Sequence, residues 1–200
     1  KNDCPSEVDM AKLKAEVEHA AHQEHGASLR DRVVANIDAV SRLGSALAPV
    51  VNALSSLPGS DRLAEATLGI ARERDLPAFA SESFVEWFDE RGPRVSGESA
   101  TRRALLLPDT FTNYVDPEVA RDAVRVLEAA GVHVRVPDVG PAGRAAHSMG
   151  FLDRSRERAR DTVETLEPYV RSGWDVVAIE PSDAVMVQSD YRDLLGQDAD

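Results

Sequence analysis

Cys4 is the single cysteine of the chain, and Pro5 follows it directly. A thiolate is a soft, anionic ligand that grips iron. A Cys-Pro pair closes the iron–sulfur run C-x2-C-x2-C-x3-C-P, where the proline turns the backbone away from the cluster. Only Lys1, Asn2 and Asp3 stand before Cys4. The other thiols of such a run would have to come from outside this chain. One cysteine allows no internal disulfide. The competing reading is a plain surface cysteine.

Five histidines and a set of polar residues remain. His19, His22 and His25 are spaced i, i+3, i+6. The first step keeps two rings on one helix face, but the second drifts away from it. A zinc site needs three or four converging ligands, so the trio reads as a solvated helix face. His133 lies mid-strand and reads as structural. A second group gathers only if the chain forms a parallel sheet: Asp109, Asn113, Arg144, His147, Glu180 and Asp183. Ligands of such sheets sit at the strand carboxyl ends, and this candidate pocket would lie there. Arg144 is the natural partner of a carboxylate or phosphate. The group either holds a small anion or forms a hydrogen-bond network that fixes the loops. Asp183 could bind a hard cation, but it reads first as the cap of the following helix.

The elements that must position these residues fall into two halves. Residues 1–91 read as helical. A helix over about 8–25 ends at Gly26. A second runs from about Leu29 to Leu47, with Val33, Ile37, Val40, Leu43 and Leu47 on one buried face. Pro49 ends or kinks it, and a short continuation carries Val50, Val51 and Leu54. Ser60 or Asp61 caps a helix to about Ala71. Ser81 to Arg91 carries Phe84, Trp87 and Phe88 as core or docking surface. Residues 92–101 are polar and rich in Gly, Pro and Ser, as in a linker. Residues 102–200 alternate strand and helix. Ala104–Leu107 and Asp175–Ile179 read as buried strands, and Val132–Val136 alternates strictly, as a strand with Val on one face. Helices start at Pro117, near Phe151 and at Ser182 or Asp183. This order predicts an α/β fold: a helical segment, then a three-layer domain with a small parallel sheet.

Composition sets the outer bounds. The chain has 200 residues, 42% hydrophobic and 29% charged, enough for a real core. The formal net charge of −12 opposes nucleic-acid binding and docking on an anionic membrane. Only three lysines accompany twenty arginines. That bias fits a GC-rich genome, or solubility in high salt. No apolar run reaches the length of a membrane span, and no signal peptide is visible. The expected location is cytoplasmic, or peripheral to the inner face of the membrane.

The blocks along the chain resemble FAD-linked oxidoreductases of the D-lactate and glycolate dehydrogenase type with 4Fe-4S clusters. Asp3-Cys4-Pro5-Ser6-Glu7-Val8-Asp9-Met10-Ala11 is similar to the end of their iron–sulfur segment. Leu29-Arg30-Asp31-Arg32, Ala35-Asn36-Ile37 and Ser83-Phe84 continue the resemblance. Leu107-Pro108-Asp109-Thr110-Phe111-Thr112-Asn113-Tyr114, Pro117-Glu118-Val119-Ala120 and Val126-Leu127-Glu128-Ala129-Ala130-Gly131 extend it. Gly143-Arg144, Gly150-Phe151-Leu152-Asp153 and Glu180-Pro181-Ser182 complete it. Two departures stand out. The family's C-terminal cysteine-rich domain reads Cys-Cys-Gly and Glu-Pro-Ser-Cys. Here those places read Pro141-Ala142-Gly143 and Glu180-Pro181-Ser182-Asp183.

The resemblance implies that residues 1–91 are the C-terminal part of a helical ferredoxin-like region. Residues 102–200 would be a degenerate form of the cysteine-rich domain, related to that of heterodisulfide reductases, with its cluster ligands lost. Cys4 would ligate a 4Fe-4S cluster in the parent protein. FAD and the remaining thiols would lie upstream, in the same protein or a partner subunit. The parent would oxidise a 2-hydroxy acid and pass electrons to a quinone or another acceptor. The piece itself would be an inactive scaffold or docking domain, with no cofactor when alone. The alternatives are a non-catalytic interaction module and a small-anion-binding domain built on Arg144.

Overall fold

The computed structural model describes residues 8–74 and 76–196. Cys4 therefore lies outside the described residues. The fold is α/β, with a parallel three-stranded sheet of order β2-β1-β3. The strands are β1 Arg102–Leu107, β2 Val132–Arg135 and β3 Asp175–Ala178. Arg102 pairs with Val132 on one side of β1, and Leu107 pairs with Ala178 on the other.

β1 is central, and its apolar run Ala104–Leu107 is buried throughout. Alternate side chains of a strand point to opposite faces, so both faces need cover. Ala104 and Leu106 pack with Phe84 and Phe88 of α6 (Phe84–Arg91) and Val124 of α8 (Pro117–Ala129). Leu105 and Leu107 pack on the other face against Leu166 of α10 (Leu152–Arg171). Full burial of Leu105 and Leu106 is worth about 2–3 kcal/mol each. α6 belongs to the helical half by sequence, yet it supplies one wall of the sheet's core. Its start is set by a capping box between Ser83 and Glu86.

The remaining helices are α1 Met10–His25, α2 Leu29–Ala35, α3 Ile37–Ala46, α4 Ala48–Ser55, α5 Ser60–Leu68 and α7 Thr110–Tyr114. After α8 and β2 come α9 Arg144–Ser148 and α10. After β3 come α11 Pro181–Val185, a π-helical turn Met186–Asp190 and α12 Tyr191–Leu195. Gly26 ends α1 with φ 78°, as the pattern predicts. α10 is one continuous helix of 20 residues.

Several expectations are corrected. The helix expected over Leu29–Leu47 breaks at Asn36, whose Nδ2 donates back to Arg32 O at 2.6 Å. The side chain shares Arg32 O with the Asn36 N–H, which donates to it at 3.1 Å, so the bend sits at a residue able to bond the backbone locally. The face expected to be buried on it holds only in part: Val33 and Ile37 are half-buried, while Val40, Leu43 and Leu47 are exposed. Ser41, Gly44, Ser45 and Ala48 face inward instead. These small residues let the helix come close to Phe79. A Cβ on Gly44 would lie 2.5 Å from its ring. β3 is not a fully buried strand, since Asp175 and Val176 are exposed on the sheet's edge.

His19 and His22 are half-buried rather than on a freely solvated face. His19 Nδ1 lies 3.1 Å from Gly150 O. The His22 ring packs 4.9 Å from that of Phe151. Together they seat α1 on the start of α10. Gly150 makes this approach possible, because a Cβ there would lie 2.8 Å from His19 N. His25 remains exposed. His133 is buried, with Nδ1 at 2.6 Å from Val95 O and its ring edge-on to Trp174.

Candidate functional site

The chain leaves all three strands at one end of the sheet. After β1, Pro108 leads to Asp109. Its Oδ1 accepts from Phe111 N at 2.9 Å and Thr112 N at 3.0 Å, which starts α7. After β3, Glu180 Oε1 accepts from Ser182 N at 3.0 Å, with Pro181 as the first helical residue. After β2, the loop 136–143 runs across the same end before α9 begins.

Two cavities open at these strand ends. Asp109, Arg144, Glu180 and Asp183 line the smaller, about 250 Å³. Asn113 lines the larger, about 540 Å³. His147 is buried beside them and lines neither. Asp38, Pro141 and Arg158 belong to both linings, so the cavities adjoin.

Most of the polar groups of the smaller cavity already have protein partners. Arg144 Nη2 donates to Asp190 Oδ2 at 2.6 Å and to Ser182 O at 3.1 Å. Asp109 and Glu180 hold helix starts. Asp183 is not the helix cap expected from the sequence, because Glu180 takes that place. Its side chain points inward, and Oδ2 accepts from Ala142 N at 3.4 Å. Burial pushes the Asp183 carboxyl up to about 6, and the nearby charges of Asp109 and Glu180 add to the rise. Burial also lowers the His147 pKa, favouring the neutral ring. In the larger cavity Asn113 Oδ1 accepts from Val85 N at 3.0 Å, joining α7 to the first turn of α6.

Three residues of this region escape a reading from the sequence: Asp38, Arg42 and Arg158. The first two lie one turn apart on α3, and Arg158 lies mid-way along α10. Their only local signal is the i, i+4 spacing of Asp38 with Arg42 and of Arg154 with Arg158. Nothing in that spacing says that two distant helices meet at one cavity.

The described residues do not fit an iron–sulfur cluster. They contain no cysteine. No group of three or more His, Cys, Asp or Glu side chains among them is placed to hold a metal ion. The turn after β1 reads Pro108-Asp109-Thr110, without the glycines that bring a dinucleotide's phosphates onto backbone N–H groups. No helix among the described residues is long and apolar enough to cross a membrane.

No protein-family model matches the chain, and no solved structure matches it. Among curated proteins, D-2-hydroxyglutarate dehydrogenase of Escherichia coli (strain K12) is 25% identical over 204 residues. That match covers 98% of this chain and 20% of the relative. D-2-hydroxyglutarate dehydrogenase of Haemophilus influenzae is 24% identical, over 96% of this chain and 19% of the relative. One subunit of the anaerobic glycerol-3-phosphate dehydrogenase of Escherichia coli (strain K12) is 27% identical over 173 residues. That match covers 86% of this chain and 43% of the relative. The chain thus spans about a fifth of the D-2-hydroxyglutarate dehydrogenases that it matches. The resemblance to an oxidoreductase family holds along nearly the whole chain, and its curated relatives are D-2-hydroxyglutarate dehydrogenases and a subunit of a glycerol-3-phosphate dehydrogenase.

Proposed function

We propose that this chain is the docking portion of a larger flavin and iron–sulfur dehydrogenase that oxidises a 2-hydroxy acid. D-2-hydroxyglutarate is the acid named in the relatives; D-lactate and glycolate are smaller members of the class. FAD and the 4Fe-4S clusters belong to regions outside the described residues, and Cys4 contributes one thiolate there. Electrons leave for a quinone or another acceptor. The protein works in the cytoplasm or at the inner face of the membrane. The parts are the helical region 1–91, the linker 92–101 and the α/β domain 102–200.

One observation carries the docking role. Val40, Leu43, Leu47, Val50, Leu54 and Leu57 follow the 3-4-3-4-3 spacing of a helix-pairing seam. Leu43 is 63% exposed, Leu47 49%, Val50 58% and Leu54 57%. A row of this kind left in water loses several kcal/mol of available burial. Its spacing fits an amphipathic helix of the parent protein.

The test joins cofactor analysis to association. The protein with its native upstream region is expressed anaerobically, and iron, sulfide and flavin are measured. The upstream region is then expressed separately and mixed with this chain on a sizing column. The reading expects iron and FAD in the long form, and a complex that Leu43→Asp with Leu47→Asp dissociates. A long form without iron and flavin would overturn the oxidoreductase reading. A complex indifferent to the two substitutions would overturn the docking face.

A further inference from the structure

The larger cavity holds two guanidinium groups that the network around Arg144 does not use. Arg42 and Arg158 both line it. Neither has a hydrogen-bond or ion-pair partner among the described residues. The place of Arg158 is built into the loop after β2. A Cβ on Gly140 would lie 2.6 Å from Arg158 Nη1 and 3.1 Å from Cζ. A Cβ on Gly143 would lie 3.2 Å from Arg158 Cγ. Two glycines therefore make room for the side chain along its length, and Pro141 between them stiffens the loop. Asp38 lies one helical turn before Arg42, near enough to feel the charge of both arginines.

Other groups narrow the chemistry. A cavity of this size suits a small molecule. Five donors on each guanidinium call for a carboxylate or phosphate. Asp38, Asp138 and Asp161 also line the wall, so a multiply charged anion is repelled. Glu86 is held by Ser83. Burial raises the Asp38 pKa, as for a carboxylate with too few partners.

We propose that this cavity binds a small monocarboxylate with a hydrogen-bond donor beside its carboxyl group, gripped by Arg42 and Arg158 and read by Asp38. The donor is a hydroxyl or an ammonium, and Asp38 accepts from either. The proposal stands independently of the docking role.

Propionate, lactate and alanine share one carbon skeleton and carry no donor, a hydroxyl and an ammonium. Each is titrated into the protein by calorimetry at constant ionic strength, using both enantiomers of the latter two. Lactate or alanine is expected to bind saturably, with propionate at least about tenfold weaker. The tighter of the two identifies the donor. Arg42→Gln and Arg158→Gln are each expected to weaken binding about tenfold or more. Gly140→Ala displaces the Arg158 guanidinium without removing charge, and is expected to weaken binding as well. Arg160→Gln, exposed on the same helix and outside the cavity, leaves affinity unchanged. Asp38→Asn abolishes the preference over propionate. Circular dichroism checks that each variant is folded. No saturation by any probe, or equal affinity in the Arg42 and Arg158 variants, would overturn the site. An equal loss in Arg160→Gln would reduce it to net charge. Propionate binding as tightly as the others would overturn the role of Asp38.

Discussion

Arg144 Nη2 reaches Asp190 Oδ2 at 2.6 Å, tying the first turn of α9 to the end of the π-helical turn. Asp190 is buried, and Lys12 Nζ of α1 lies 3.5 Å from its other oxygen. One carboxylate thus joins three elements. The arginine that looks like a free anion ligand in the sequence is spent on the fold.

Arg144→Ala is therefore expected to destabilise the protein by about 2 kcal/mol, since it strips a buried carboxylate of its main partner. Lys12 keeps the loss below that of a fully orphaned charge. Urea unfolding measures it. An unchanged midpoint would show that the pair adds nothing to stability.

Asp183 makes a prediction about pH. Its carboxyl is raised from 3.8 to about 6, so the folded state holds the proton more tightly than the unfolded chain. Its stabilising contribution is complete below pH 3.8 and is lost as pH rises through about 6. Asp183→Asn removes the buried charge and keeps an oxygen for Ala142 N. It is expected to raise stability by roughly 2–3 kcal/mol at pH 7–8. The gain should shrink as urea melts are repeated down to about pH 5. A gain independent of pH would place the cause elsewhere.

Gly44 sits in the middle of α3, where alanine would ordinarily improve helix stability by about 1 kcal/mol. Here its Cβ would lie within 2.7 Å of three Phe79 ring atoms. Asn52 holds Phe79 through bonds of 2.9 Å to its N–H and 2.8 Å to its carbonyl. The ring cannot retreat freely, so Gly44→Ala is expected to cost about 1–3 kcal/mol net. A higher melting temperature would refute this close packing.

Asn113→Ala removes the acceptor of Val85 N. The expected cost is about 1–3 kcal/mol, the penalty of an unsatisfied donor that is only part-buried in the intact protein. Amide exchange at Val85 should quicken selectively. Unchanged exchange would mean that another acceptor replaces Asn113.

Leu43→Asp with Leu47→Asp is expected to shift the stability of the isolated protein by no more than about 1 kcal/mol, because both side chains face water. A large loss would place them in the core after all.

Patterns confined to one element are legible in the sequence. The unbroken run Ala104–Leu107 marks a strand covered on both faces, and Pro117 and Gly131 bracket α8. The strand order then implies a parallel sheet, and with it the end where Asp109, Glu180 and Asp183 line one cavity and Asn113 the adjoining one. The short helices α7 and α9 escape, because five residues are too few to show a period. The π-helical turn escapes because one extra residue per turn leaves no signature in residue types.

Which face of a helix is covered is a different kind of question. On α3 and α4 the large residues Val40, Leu43 and Leu47 share one face, and the small residues Ser41, Gly44, Ser45 and Ala48 share another. Periodicity says that each set lies together. It cannot weigh burying leucines against the close approach that glycine and serine permit. Phe79, held by Asn52, decides in favour of the small residues. The same holds for charge. The sequence alone puts Arg144 near the strand ends and leaves Arg158 as one more cation on a long helix. Only the tertiary structure decides that Asp190 takes Arg144 while Arg158 stays unpaired in a cavity, because both outcomes turn on distances between elements remote in the chain.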